Sequence, residues 1–357
     1  MKATNEIDEL FATTINDNAV TTKSHPLLSD LSKEYESEEA YHEDNVLSYS
    51  ILSQYERNGG FKWLPENKED LWKPTVKTDA LLFGGAVDAI ITSGMAKFNS
   101  EYRVLDIPQI PDKIKQVVDR MIEEHVQWSD TERIVAIMNE LQFYPTWRQE
   151  TRCNKLNEGL NYYNALCCDD KRLVITKEMY DNILKTCDSL HASPLVSELM
   201  FDKLPEHQDR FFQLKFTTKI GNIPYKIMCD MIIVDHKKKE IKVYDLKTSG
   251  KESYNFRLSY LDFGYHIQSW LYRIVLEDAL CMTDFSDYKI EGFYFIVASK
   301  VSGEPCVWQD MTEIEGAKYR DPLRIGQEIA DAYDEAGHKK TMPDWCDASK
   351  VNILNFR

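Results

Sequence analysis

The spacing of apolar positions changes along this chain, from a helical period to a strand period and back. Leu47-Ser48-Tyr49-Ser50 opens a predicted helix, with Ser48 as N-cap and Ile51, Leu52 and Tyr55 on one face up to Arg57. Asn58-Gly59-Gly60 stops it, since glycine accepts the left-handed backbone that ends helices. Residues 78 to 94 are nearly all apolar except Asp88, and Gly84, Gly85 and Ala86 let a helix start pack closely on its neighbour. Residues 111 to 123 and 130 to 141 predict two amphipathic helices, with Ile114, Val117, Val118, Met121 and Ile122 at helical spacing in the first. Residues 149 to 170 fit strand or helix equally, and 177 to 191 and 194 to 204 read as helices.

The strand period begins at Gln213 and alternates to Lys219. Gly221-Asn222 forms a tight turn, and residues 223 to 234 return. A charged turn, His236 to Lys239, then leads into a third strand from Glu240 to Lys247, so this pair reads as an antiparallel hairpin. Residues 249 to 260 are a polar, aromatic loop carrying Phe256, Arg257 and Tyr260. A strong helix spans 264 to 280, a final strand 289 to 298, and a C-terminal helix 322 to 336. This order predicts an α/β (α+β) fold in which a central mixed sheet is flanked by helices. The expected organisation is an N-terminal arm over 1–44, loosely attached, one elaborated domain over 45–337 with a helical insertion around 111–205, and an irregular tail over 338–357.

Composition narrows the class. A chain of 357 residues with 43% hydrophobic and 29% charged content is globular rather than disordered. No apolar run approaches the roughly 18 residues of a membrane helix, and the first residues lack an apolar signal core, so the expectation is a cytoplasmic protein with no membrane role. The 8 cysteines form no Cys-x-x-Cys pair and read as free thiols, with a zinc site from Cys153, Cys167, Cys168 and Cys187 disfavoured by the missing ligand spacing. A net charge of −16 argues against broad nucleic-acid binding but leaves room for a metal-holding acidic site. The run Lys237, Lys238, Lys239 reads first as a solvated turn and second, with Lys242, as part of a basic path.

The candidate chemistry lies in the hairpin. Asp245 and Lys247 project to one face because residues two apart on a strand share a face, while Leu246 projects to the other. Closure around 236 to 239 brings Asp230 to the strand beside Asp245. Two carboxylates suit Mg²⁺, which takes one or two of them and keeps several waters. The Leu246 carbonyl can add a ligand, and the Lys247 amine can orient a water for phosphodiester hydrolysis. An Asp-x-Lys triplet alone is more often two solvated charges. Asp88 has two readings as well, a capping or hydrogen-bonded acid and a third metal ligand. Gln268 and Tyr272, at i and i+4, share a face of the strong helix.

Taken in order, Leu47-Ser48-Tyr49-Ser50, Leu82-Phe83-Gly84-Gly85-Ala86-Val87-Asp88, Asp230, Asp245-Leu246-Lys247-Thr248 and Gln268-x-x-x-Tyr272 resemble the PD-(D/E)XK nucleases. The resemblance covers roughly residues 45 to 300. It is nearest to phage recombination exonucleases of the lambda-exonuclease and RecE type and to RecB-type nuclease domains. It implies a restriction-endonuclease-like core with a helical N-terminal elaboration. It implies that Asp230, Asp245 and the Leu246 carbonyl hold Mg²⁺ or Mn²⁺ and that Lys247 positions the attacking water. Gln268 and Tyr272 would contact the DNA backbone or orient the site, and Ser48, Ser50 and Arg257 are further candidate DNA contacts. Asp88 stands where many relatives have a histidine ligand, and Gln213 where some carry a glutamate. Only Cys306 and Cys346 stand where some relatives place three late cysteines, so no iron–sulfur cluster is expected. The implied activity is a metal-dependent deoxyribonuclease that digests duplex DNA from its ends in phage-type recombination or repair. A single-strand annealing protein is the implied partner, and a homo-oligomer the implied assembly. The alternatives are a catalytically weak nuclease-fold module that binds DNA or protein, and an acidic DNA mimic.

Overall fold

The computed structural model describes residues 26–35, 40–41, 44, 46–64, 71–72, 78–106, 110–168, 170–311 and 321–335. It divides into two compact units. One holds the described residues from 78 to 188, the other those from 26 to 72 and from 189 to 335. The tail expected from His338 onward lies outside the described residues.

The second unit is built on a five-stranded mixed sheet flanked by helices, as the pattern of periods requires. After helix α1 (Tyr49–Arg57) come strands β3 (Gln208–Ile220), β4 (Ile223–Asp235), β5 (Glu240–Ser249), β6 (Lys289–Ser299) and β7 (Pro305–Asp310), numbered after two short strands of the first unit. Spatial order follows chain order. Neighbours are antiparallel except β5 and β6, which run parallel and are joined through helices α9 (Phe256–Phe263) and α10 (Tyr265–Leu280). A parallel pair needs such a crossover, because no tight turn can return the chain to the same end of the sheet. Helix α10 buries Ile267, Leu271, Val275 and Leu276 in the core with Ile232, Val243, Phe293 and Phe295 of the sheet.

Boundaries follow local chemistry. Ser48 caps α1 by position, its side chain accepting from none of the helix's first backbone N–H groups, and Gly59 at φ 105° ends the turn after it. Gly264, at φ 65°, closes α9 and starts α10, a backbone that β-carbon-bearing residues resist. Gly221, at φ 65°, serves the β3–β4 turn.

Several expectations need correction. Residues 256 to 260 are helical rather than loop. The sheet does not end at β6, since β7 follows, and Asp310 at its end accepts from Tyr260 at 3.1 Å and from Ser269. His236 is buried in the turn, with Nε2 3.1 Å from Asp209 and Nδ1 2.9 Å from the Tyr288 hydroxyl, so this turn is not wholly solvated. The arm is not loosely attached where it is described. Leu28 is fully buried, and the Lys33 N–H donates to the Lys215 carbonyl at 2.7 Å.

In the first unit, helix α2 (Asp79–Glu101) begins earlier than expected, with Thr78 as its N-cap. Gly84 and Gly85 are therefore mid-helix, and a Cβ on Gly85 would stand 2.7 Å from the Tyr102 hydroxyl. Contrary to the reading of the sequence, α2 is long and apolar enough to cross a membrane. Its apolar residues are largely buried, a property that core helices share, and Gly94 (φ 84°) kinks it. Strand β1 (Tyr102–Leu105) pairs in parallel with β2 (Leu173–Thr176), a small sheet the sequence did not reveal. Between them lie α3 (Asp112–Glu123), α4 (Thr131–Glu140), α5 (Gln149–Leu156) and α6 (Leu160–Leu166), so the ambiguous 149–170 stretch is mostly helical. They share a core of Ile114, Val118, Met121, Ile137 and Phe143. Helices α7 (Lys177–Ala192) and α8 (Pro194–Met200) lead to β3, and one of the boundaries between the units falls within α7.

Candidate active site

The hairpin register fixes the site. β4 and β5 pair from Asp235↔Glu240 to Met231↔Tyr244, and one step further would set Asp230 opposite Asp245. There the strands part. The Asp230 carboxylate takes over the role of a strand carbonyl, accepting the Leu246 N–H at 2.8 Å. In an extended strand the N–H and C=O of one residue face the same edge, so the Leu246 carbonyl also faces the Asp230 side. On the other flank, Phe212↔Met231 and Leu214↔Cys229 bracket a third aligned position, Gln213 beside Asp230. Gln213 has φ 55°, a left-handed backbone costing a non-glycine residue roughly 1 kcal/mol, so the ladder is interrupted on both sides of Asp230. Beyond the parting, β4 keeps an outer neighbour. Leu47 bridges in parallel to Tyr225, accepting the Lys226 N–H at 2.8 Å.

Asp245 is 3% exposed and therefore needs partners. The Gln268 amide on α10 donates to its Oδ1 at 2.5 Å. The Lys247 ammonium is in ion-pair contact with its Oδ2, in a geometry that is not a directed hydrogen bond. Burial alone would lower the basicity of Lys247. The nearby Asp245, with Tyr265 and Asp230 adding to it, outweighs that and holds the ammonium well above the usual lysine range. Lys247 is thus a charged donor rather than a base.

Two tyrosines that the sequence did not single out wall this group. The Lys247 ammonium lies 5.1 Å from the centroid of the Tyr265 ring, and Tyr49 packs 6.1 Å from that ring. The Tyr49 hydroxyl and Ser53 both donate to the Phe263 carbonyl, at 2.9 and 3.0 Å, which ties α1 to the α9–α10 corner. Burial pushes both tyrosine hydroxyls up, so they stay neutral donors, and Lys247 offsets part of that. The signal was present: Tyr49 sits inside the quoted serine motif, and Tyr265 is three residues before Gln268 on the same helix face.

The remaining candidates fall as follows. Tyr272 is buried on α10 edge-on to Phe293, and burial, with Tyr41 and Asp245 nearby, raises its hydroxyl. Ser48 and exposed Ser50 bond each other at 2.9 Å. Arg257 is exposed on α9. Asp88 lies half-buried in the middle of α2, in the first unit, so its helix-capping reading fails. The lysine run at the hairpin turn is exposed, with Lys239 paired to Asp287 and Lys242 3.6 Å from Glu291. Five residues of strand, about 17 Å, separate that turn from Asp230.

Among the described residues no three side chains of His, Cys, Asp and Glu are grouped as a metal would need them. The pair Asp230–Asp245 still fits a hard, mostly hydrated cation, which asks for only one or two carboxylates. One buried oxygen, Gln268 Oε1, has no hydrogen-bond partner among the described residues, and Asp245 Oδ2 meets the Lys247 ammonium as an ion pair.

No known family profile matches this chain, and no curated protein matches it. Among solved structures, a crystal structure from Eubacterium rectale described as "Putative exonuclease" is similar at 13% identity and a TM-score of 0.42, covering 94% of this chain and 97% of its own.

Proposed function

We propose that the second unit is a metal-dependent nuclease that hydrolyses phosphodiester bonds of DNA, working inward from duplex ends. The observation that carries this reading is the parting of β4 and β5 at Asp230 and Asp245, with Lys247 charged beside them. Asp230, Asp245 and the Leu246 carbonyl would hold Mg²⁺ or Mn²⁺. A bound cation of this kind supplies Lewis acidity to a phosphoryl oxygen and makes water a stronger nucleophile near neutral pH. The residues do the rest. The Lys247 ammonium donates toward the water or the phosphate and offsets charge that builds up in the transition state. Gln268 holds Asp245 in one orientation, and its burial supports an orienting role over contact with the DNA backbone. Tyr49 and Tyr265 keep solvent from the stem of Lys247. Ser50 and Arg257, both exposed, are available to DNA phosphates. Digestion from ends would leave single-stranded tails for an annealing protein in phage-type recombination, in the bacterial cytoplasm.

A binding module without cutting is the second reading. Gln213 favours it, because an amide stands beside Asp230 where a further acid would strengthen the cation site. Digestion of end-labelled linear duplex and of closed circular DNA, with Mg²⁺, Mn²⁺ or EDTA, separates the readings. Metal-dependent loss of the linear substrate alone, abolished by Asp245→Ala, is the expected result. Cutting of both substrates would make it an endonuclease, and no cutting under any metal would overturn the catalytic reading.

A further inference from the structure

The first unit carries a second reactive position with no part in the nuclease reading. Cys167 and Cys168 follow α6 and are both exposed. The Arg103 side chain reaches them from β1. Its guanidinium donates to the Cys168 sulfur at 2.8 Å through Nη1, and to the Ala165 carbonyl through Nη2. The same sulfur, as a thiol, donates to the Ala165 carbonyl at 2.8 Å. Arg103 is anchored, its side chain only 12% exposed, and so cannot swing away into water. The charges facing this sulfur are mixed. Asp170 lies 3.8 Å from Arg103, but its carboxylate is taken up by Arg172, at 2.7 to 3.2 Å. Lys171 is exposed beside them. Tyr163 on α6 is turned away, its hydroxyl donating to the Val126 carbonyl at 3.0 Å, and Cys167 is the residue that ends this helix. The backbone N–H of Asp170, and then Arg103, favour the thiolate of Cys168 over its thiol. Cys281, also exposed, has among the described residues the Asp278 carbonyl, 3.0 Å away, and no cation at its sulfur.

We propose that Cys168 is a redox-modification site, at which an Arg103-supported thiolate exchanges with anionic low-molecular-weight disulfides. The thiolate attacks one sulfur of the reagent, a new Sγ–S bond forms, and the reagent's S–S bond breaks. The electron pair leaves with the departing thiolate, which takes its proton from solvent. The disulfide is the oxidant, so no other is needed. Arg103, Lys171 and Arg172 favour a reagent that carries carboxylates, and the exposed sulfur leaves it room.

The test uses the full chain and oxidised glutathione as probe, from pH 6 to 9, with mass mapping of each cysteine. Lowering a thiol's pKa gains thiolate faster than it loses nucleophilicity, for a net gain of about 3-fold per unit at neutral pH. Cys168 should therefore form the mixed disulfide measurably faster than Cys281 at pH 7, with its pH profile displaced to lower pH. Arg103→Met should narrow the difference, leaving the share that the Asp170 N–H supplies, and Arg103→Lys should narrow it less. Circular dichroism checks that each variant is folded, and if Arg103→Met is not, the comparison of Cys168 with Cys281 in the wild type decides. Equal rates and profiles at Cys168 and Cys281 would overturn the proposal. So would an adduct confined to Cys167.

Discussion

At the scale of single residues, the charge state of Lys247 separates its possible duties. Its ammonium is held by Asp245, and in the proposed reaction it would serve as a donor and counter-charge to the phosphate. Losing one such preorganised donor typically costs a hundred- to a thousand-fold in rate. We expect Lys247→Met to slow Mg²⁺-dependent digestion roughly 100- to 1000-fold, while half-saturation by Mg²⁺ moves far less, read from initial rates across a Mg²⁺ titration. An unchanged rate would remove Lys247 from the chemistry. Much of this neighbourhood was legible beforehand, because two-residue alternation alone sets Asp245 and Lys247 on one face. What alternation could not disclose was that Gln213 is left-handed. A backbone angle of φ 55° arises from the parting strands and leaves no mark in residue type, since glutamine is not a residue that favours it.

At the scale of elements, the helices and long strands announce themselves by period, and the short ones do not. β1 and β2 are four residues each, too short for alternation to stand out from chance. β7 was missed for a related reason: Pro305-Cys-Val-Trp-Gln-Asp is half-exposed and mixes polar with apolar residues out of step. Yet β7 is tied firmly, because the Asp310 carboxylate gathers the hydroxyls of Tyr260 on α9 and Ser269 on α10. Asp310→Ala would remove an acceptor shared by two hydroxyls, one of them on buried Ser269, which keeps the His266 carbonyl at 3.1 Å. Hydrogen bonds to a charged partner contribute roughly 1.5–3 kcal/mol, so the expected loss is about 2–3 kcal/mol in a urea melt. A change below about 0.5 kcal/mol would show the cluster to be incidental.

For the molecule as a whole, the two-unit division was not readable from sequence, because one of its boundaries falls inside a helix, where no break in period marks it. Stability on the sheet side should carry a pH signature. Lys226 is buried, donates to the carbonyls of Tyr41 and of Asp44 (2.7 Å), and sits 4.5 Å over the Tyr41 ring. Burial lowers its pKa from 10.5 to about 8. The unfolded chain then binds more protons than the folded one between these two values, so the Lys226 contribution becomes more favourable as pH rises through that window. Wild type should gain on Lys226→Met by up to about 3 kcal/mol between pH 8 and 10.5. Urea melts of both proteins at pH 7.5, 9 and 10 check this, and parallel pH curves would refute it.

The Leu47 bridge has a consequence for solubility. Where β5 turns away, the outer half of β4 would present bare N–H and C=O groups, the kind of edge on which another chain can build a strand. Leu47 caps that edge, and Lys226 pins the chain that leads to it. The segment before α1 is therefore a guard against self-association. A shortened protein starting at α1 would keep its carboxylate pair and gain a tendency to stack with its own copies.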